Sequence, residues 1–244
     1  MFQGQKSIWN GFERYDFKLE GIDVIIVAPQ QLESRRRWLW RARFFGAWPA
    51  VDLAMLESGW LLAYIDVADQ FGGPEAMRRF DLLYKFLTEQ HNMAKKTVLE
   101  GFSRGGLVIY NWAARNPEKV SCLYADNPVC DFKSWPGGLM DGPGAPESWA
   151  KCLDAYGLTE AEAINYQLNP IDNLAPLAKA GIPLLHVYGN ADEVVPFYEN
   201  TQIIADRFQE LGGTIELICK PGCKHHPHCL EDPVPIVNFM LQYS

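Results

Sequence analysis

The stretch that decides the fold is Thr97-Val98-Leu99-Glu100-Gly101-Phe102-Ser103-Arg104-Gly105-Gly106. It places a serine between glycines, directly after an apolar run and directly before a helical pattern. A serine at a sharp strand-to-helix turn is held in strained backbone geometry, so the residues two positions either side, Gly101 and Gly105, are expected to be small. The Ser103 hydroxyl then projects above the sheet edge. The first amides of the following helix, starting at Arg104, point at the same spot and can hold a negatively charged oxygen there.

Outward from this turn the chain alternates strands and helices. Tyr15, Phe17 and Leu19 alternate with Asp16, Lys18 and Glu20, the two-residue period of a half-buried strand, and Gly21-Ile22-Asp23 turns into a second strand from Val24 to Ala28. Trp38-Leu39-Trp40 reads as a short third strand with both tryptophans in the core, followed by a loop over 42–48 and a helix over 51–57. Residues 60–67 form the next strand. Phe80, Leu83, Tyr84 and Leu87 make one apolar helical face within 74–90. Strand 97–102, helix 107–115 and strand 120–124 follow. Strand 183–188, helix 199–211, strand 214–219 and a last helix from about 234 complete the pattern. Between them, 131–180 breaks the rhythm with Trp135-Pro136-Gly137-Gly138 and Gly142-Pro143-Gly144, and is read as a cap-like insertion over the site. Strands alternating with helices imply a single α/β domain over 1–244, with a mostly parallel central sheet covered on both faces.

Composition bounds the partners. A net charge of -8 argues against nucleic acid, whose phosphates are held by basic faces. No run approaches the roughly 18 apolar residues needed to span a bilayer, and the first thirty residues lack a basic-then-apolar export signal. The expectation is a soluble, cytoplasmic protein without membrane partners, or a periplasmic or secreted one if a leader has been removed. The six cysteines show no disulfide-framework spacing; Cys122 and Cys219 fall in apolar strand runs, where a free thiol packs as a small hydrophobe.

A serine hydroxyl needs a base to take its proton, and the base works best when a carboxylate fixes its tautomer. Two later strands end in suitable loops. Gly189-Asn190-Ala191-Asp192-Glu193-Val194-Val195-Pro196 puts an acid after one strand. Lys220-Pro221-Gly222-Cys223-Lys224-His225-His226-Pro227-His228 puts imidazoles after the next. In a parallel sheet these loops share one edge with Ser103.

The order Ser103, Asp192, His225, with the glycine-flanked serine turn, resembles the α/β-hydrolase family over essentially the whole chain, most closely its prolyl-oligopeptidase-like and acetylxylan-esterase-like members. The resemblance implies Ser103 as nucleophile, Asp192 as acid and His225 as base, with no metal or organic cofactor. Glu193 is the reserve acid and His226 the reserve base. Two features depart from the pattern. Lys224 replaces the second glycine ahead of the histidine, and Trp40-Arg41-Ala42-Arg43-Phe44 stands where a His-Gly oxyanion loop is usual. The Arg104 amide and one from Ala42 or Arg43, with Arg43 preferred, are the expected oxyanion donors. Arg41, Trp135 and His226 are expected to touch substrate, with plain packing the other reading of Trp135.

Asp192 could simply cap a turn. Cys223, His225, His226, His228 and Cys229 have spacing that suits zinc, although nothing else in the sequence supports a metal. His91 and His186 read as structural, and Arg35 to Arg37 as a solvated loop. The expected activity is hydrolysis of short-acyl esters, such as acetyl esters of a carbohydrate or another polar small molecule. A prolyl-oligopeptidase-like serine peptidase is the alternative, weighed down by how soon the first hairpin begins. A non-catalytic ligand-binding protein of the same fold is the alternative of another class.

Overall fold

The computed structural model describes residues 2–244. Nine strands form one sheet: β1 (Gln5–Trp9), β2 (Phe12–Leu19), β3 (Ile22–Ala28), β4 (Trp38–Arg41), β5 (Leu61–Ile65), β6 (Thr97–Phe102), β7 (Val120–Asp126), β8 (Leu184–Gly189) and β9 (Ile215–Lys220). Their order across the sheet is β1-β2-β3-β5-β4-β6-β7-β8-β9. The β1, β2, β3 and β5 neighbours pair antiparallel, and every pairing from β5 through β4 to β9 is parallel. This is the α/β-hydrolase fold, with helices on both faces of a mostly parallel sheet.

Side chains alternate across the central strands, as a two-faced sheet requires. Trp38, Trp40 and Leu99 point to one face, where they pack with α2 (Pro74–Lys85), α3 (Gly105–Arg115), α6 (Ala175–Ala180) and α7 (Thr201–Glu210) through Phe80, Trp112, Leu177 and Phe208. Leu39 and Val98 point to the other, against Val51 and Met55 of α1 (Ala50–Glu57) and Ile236 and Phe239 of α8 (Val234–Gln242). Both tryptophans of β4 are fully buried, and Trp40 stacks on Phe80 at 4.0 Å. Residues 131–180, expected as one insertion, end packed on the sheet through Ile171, Leu174 and Leu177, and their earlier part carries α4 (Pro146–Tyr156) and α5 (Glu160–Ile164). Its Phe132, Trp135 and Trp149 form a third apolar cluster with Leu107 of α3 and Val195 of the loop after β8.

Several local readings change. β1 is an additional strand, exposed along most of its length and paired only with β2. The long helix expected over 74–90 is α-helical to Lys85 and then widens into a π-helical turn over Phe86–Gln90. All six cysteines are free, but Cys219 is exposed rather than packed, because β9 is an edge strand. Among the described residues no helix is long and apolar enough to cross a membrane.

What positions the site is strand direction. The carboxyl ends of β4, β6, β7, β8 and β9 lie along one sheet edge, and the registers Phe102↔Asp126 and Gly189↔Lys220 bring the loops that follow level with one another.

Candidate active site

Ser103 has φ 50, a left-handed conformation that a residue with a side chain adopts only under constraint. The constraint is backbone bonding on both sides: the Ser103 amide donates to the Asp126 carbonyl at 3.0 Å, and its carbonyl accepts from Gly106 and Val129, each at 2.9 Å. Space explains the glycines only in part. A Cβ on Gly101 would lie 2.8 Å from the Gly105 carbonyl oxygen, and one on Gly106 would lie 2.6 Å from the Val129 carbonyl oxygen. Gly105, expected to be obligatory, has ordinary room: a Cβ there would meet only Arg43 and Ala42 Cβ atoms at 3.5 and 3.8 Å. Gly106 takes the role assigned to Gly105.

The three side chains converge. Ser103 Oγ is 2.9 Å from His225 Nε2, and His225 Nδ1 is 2.7 Å from Asp192 Oδ2. Asp192 also accepts from the Val194 and Val195 amides on Oδ1, both at 2.9 Å. Asp192 thus closes a turn through Oδ1 and meets the histidine through Oδ2. Glu193 points to solvent, 3.9 Å from Lys224. Ser103, Asp192 and His225 are all buried, with the serine 8 % exposed.

Two residues at the end of β7 hold this arrangement and were missed in the sequence. Asn127, at φ 41, donates from Nδ2 to the His225 carbonyl at 2.9 Å and accepts from the Gly189 amide at 2.7 Å, joining the histidine and acid loops. Asp126 accepts from the Cys229 amide and from Tyr124 on Oδ2, and lies 2.7 Å from His228 Nδ1 and 3.3 Å from Lys220 Nζ on Oδ1. The signal was available: a polar pair closing a buried strand on the same edge as the acid and histidine loops. Burial lowers the His226 and His228 imidazoles below the ordinary value.

Arg41 does not reach the site surface, contrary to expectation. It is fully buried, with Nη1 2.9 Å from Asp52 Oδ2 and 3.2 Å from Glu100 Oε1. The register Arg41↔Glu100 puts the pair side by side on adjacent strands, and α1 brings Asp52 over them. Its other nitrogens donate to the carbonyls of Arg43, Phe44 and Ala47. Burial first, then Asp52, raise Glu100 well above the usual carboxylate range, and burial raises Asp52 as well.

The loop that Arg41 anchors leaves one expected donor occupied: the Ala42 amide bonds the Glu100 carbonyl at 2.9 Å. Among the described residues the Arg43 and Arg104 amides take no backbone partner. Both residues adjoin the serine turn: Arg104 follows Ser103 directly, and Arg43 Cβ lies 3.5 Å from where a Cβ on Gly105 would sit. The Arg104 guanidinium lies over Trp135 at 4.9 Å and near Phe71 and Phe44, with Nη1 3.5 Å from Asp69. Trp135 is thus a buried support for Arg104 rather than an open platform. His226 is exposed and stacks on Trp48 at 5.2 Å. Cys223 and Cys229 do not join the histidines as a metal-ligand group, whereas His225, His226 and His228 do cluster. His186 is structural, 2.6 Å from Tyr110 and 3.0 Å from Thr201. His91 stacks on Phe2, and Arg36 and Arg37 anchor to neighbouring residues rather than standing free.

Fold and site together define an α/β-hydrolase-fold protein with a serine, a histidine and an aspartate in one hydrogen-bonded line. The chain belongs to the prolyl oligopeptidase family, whose sequence profile matches residues 77–233. Solved structures share the fold at low identity. A puromycin-hydrolyzing peptidase of Mycobacterium tuberculosis aligns over 94% of this chain at 11% identity and TM-score 0.71, and dipeptidyl peptidase 4 of Porphyromonas gingivalis over 97% at 14% and 0.70. The chain spans only 38% and 36% of those two proteins. Est1E of Butyrivibrio proteoclasticus aligns over 94% of this chain and 98% of its own length, at 18% identity and TM-score 0.65. No curated protein sequence matches at a significant level.

Proposed function

We propose that this protein is a serine hydrolase that cleaves carboxylic esters, with a short acyl group such as acetyl on a carbohydrate or other polar scaffold. The observation that carries the reading is the Ser103–His225–Asp192 line, with contacts of 2.9 and 2.7 Å. Ser103 attacks the carbonyl while His225 takes its proton and passes it to the leaving alcohol, and Asp192 stabilises the imidazolium. Water then repeats the cycle on the acyl-enzyme. The Arg43 and Arg104 amides receive the developing oxyanion, each donor being worth about 2.7–4 kcal/mol in comparable sites. No cofactor takes part in these steps.

The acyl side is argued from crowding. Ser103 is barely exposed, and Arg104 with its aromatic supports closes one flank, which suits a small group. A cavity of about 840 Å³, lined by Asn10, Gln31 and Gly59 among others, lies at the opposite sheet edge. The polar scaffold is argued from charge: Lys151 and Arg104 both contact Asp69 beside the serine, giving a locally cationic mouth on an acidic chain. A peptidase reading has its own support, in the family and in the peptidases among the structural neighbours.

The deciding experiment is a panel of aryl esters of graded acyl length, acetylated sugars and aminoacyl amides, run beside Ser103→Ala. Acetyl esters should turn over fastest, and Ser103→Ala should lose activity by on the order of 10⁴-fold or more while its melting temperature stays near the parent's. A preference for amides would transfer the assignment to the peptidase reading. Undiminished hydrolysis by Ser103→Ala would remove both.

A further inference from the structure

The acyl chemistry uses one histidine of the loop after β9, yet three imidazoles meet there. One ring nitrogen from each of His225, His226 and His228 lies within 4.8 Å of the others. The ring centroids stand 4.8, 5.1 and 5.0 Å apart, with interplanar angles of 62°, 81° and 83°. Three rings therefore face one another edge to face around a common point. Two are braced from behind: His225 Nδ1 is 2.7 Å from Asp192, and His228 Nδ1 is 2.7 Å from Asp126. A carboxylate on Nδ1 fixes the tautomer that leaves the Nε2 lone pair free, and it makes that nitrogen a better metal ligand. The His228–Asp126 pair is fully buried and has no part in acyl transfer.

We propose that His225, His226 and His228 form an inhibitory binding site for zinc-class divalent cations, which silence Ser103 by occupying the His225 nitrogen it depends on. The consequence for activity rests on the hydrolase reading above; the binding itself stands on the geometry. Zn–N bonds of about 2.0–2.1 Å place tetrahedral ligands roughly 3.4 Å apart, so nitrogens up to 4.8 Å apart draw together by up to about 1.4 Å. His226 is exposed and leaves its stack on Trp48 to make that movement. Three imidazoles leave a fourth position for water. The Ser103 hydroxyl keeps its proton, because the acceptor 2.9 Å away is now coordinated. Nitrogen-only donors favour zinc over magnesium and calcium, which require oxygen ligands. Asp192 and Asp126 offset the ion's charge, although Lys220 shares the second of them.

The test titrates Zn²⁺, Mg²⁺ or Ca²⁺ against the full chain, reading binding by competition with a zinc-chelating dye and Ser103 reactivity by fluorophosphonate labelling. Zinc should bind and slow labelling reversibly, with EDTA restoring it, while magnesium and calcium leave it unchanged. His226→Gln and His228→Gln should each raise the zinc concentration for half-inhibition by about tenfold or more, measured against that variant's own zinc-free rate. No zinc binding at millimolar concentration would overturn the site. Binding with undiminished labelling, or equal inhibition of parent and both variants, would overturn the assignment to these histidines. A Ser103 that never labels, with zinc bound and the variants weakened, would sink the hydrolase reading and the inhibitory consequence while supporting the metal site.

Discussion

Arg41 shows how one side chain serves the site without touching it. Its guanidinium joins two buried acids to three carbonyls of the loop that carries the Arg43 amide. Arg41→Met should destabilise the protein by about 3–5 kcal/mol, read from denaturation midpoints, because a buried carboxylate loses its cation. Arg41→Lys keeps the charge but cannot span the same carbonyls; kcat should fall by up to about 100-fold with KM little changed. Glu100→Gln should cost no more than about 1 kcal/mol, since burial and Asp52 already favour the neutral acid. A loss equal to that of Arg41→Met would show Glu100 to be charged. At Asp192, the asparagine variant should retain its fold and lose on the order of 10⁴-fold in kcat, as the histidine loses the partner that sets its tautomer.

The strand-turn-helix element from Thr97 to Arg115 was legible because its period changes from a continuous buried run to a helical stripe at one serine. The acid and histidine loops were legible for a related reason: each closes a strand whose apolar run is plain. What the sequence did not reveal depended on register. Arg41 reads as a surface cation until pairing sets it beside Glu100. Asp126 and Asn127 fall just beyond the strand read over 120–124, and their place emerges only when Phe102 is set opposite Asp126. β1 had no alternation to find, being exposed on nearly every residue. On the helix side the tight glycine was placed one position too early, because the close approach comes from Val129 of the loop after β7 rather than from the turn itself, while Gly101 is as tight as expected. Gly106→Ala should therefore lower stability by about 1–3 kcal/mol, and Gly105→Ala by much less, in the same denaturation assay.

Over the whole molecule, buried ionisable groups set how stability responds to acid. Burial lowers His186 to about 3, so the folded imidazole stays neutral while an unfolded chain protonates near pH 6.5. The unfolded state then holds more protons, and stability declines as pH drops from about 6.5 toward 3, by up to about 1.4 kcal/mol per pH unit. His186→Gln should flatten this part of the profile in urea titrations between pH 7 and 5; parallel slopes would contradict it. A last consequence comes from the parallel pairing of β6, β7, β8 and β9, which separates Ser103 from His225 by 122 positions. Contacts of such long separation form late during refolding, after helices have largely returned. A chain diluted from denaturant should regain its far-ultraviolet helical signal well before it reacts with a serine probe, making chemical reactivity the clock that records the docking of the final strand.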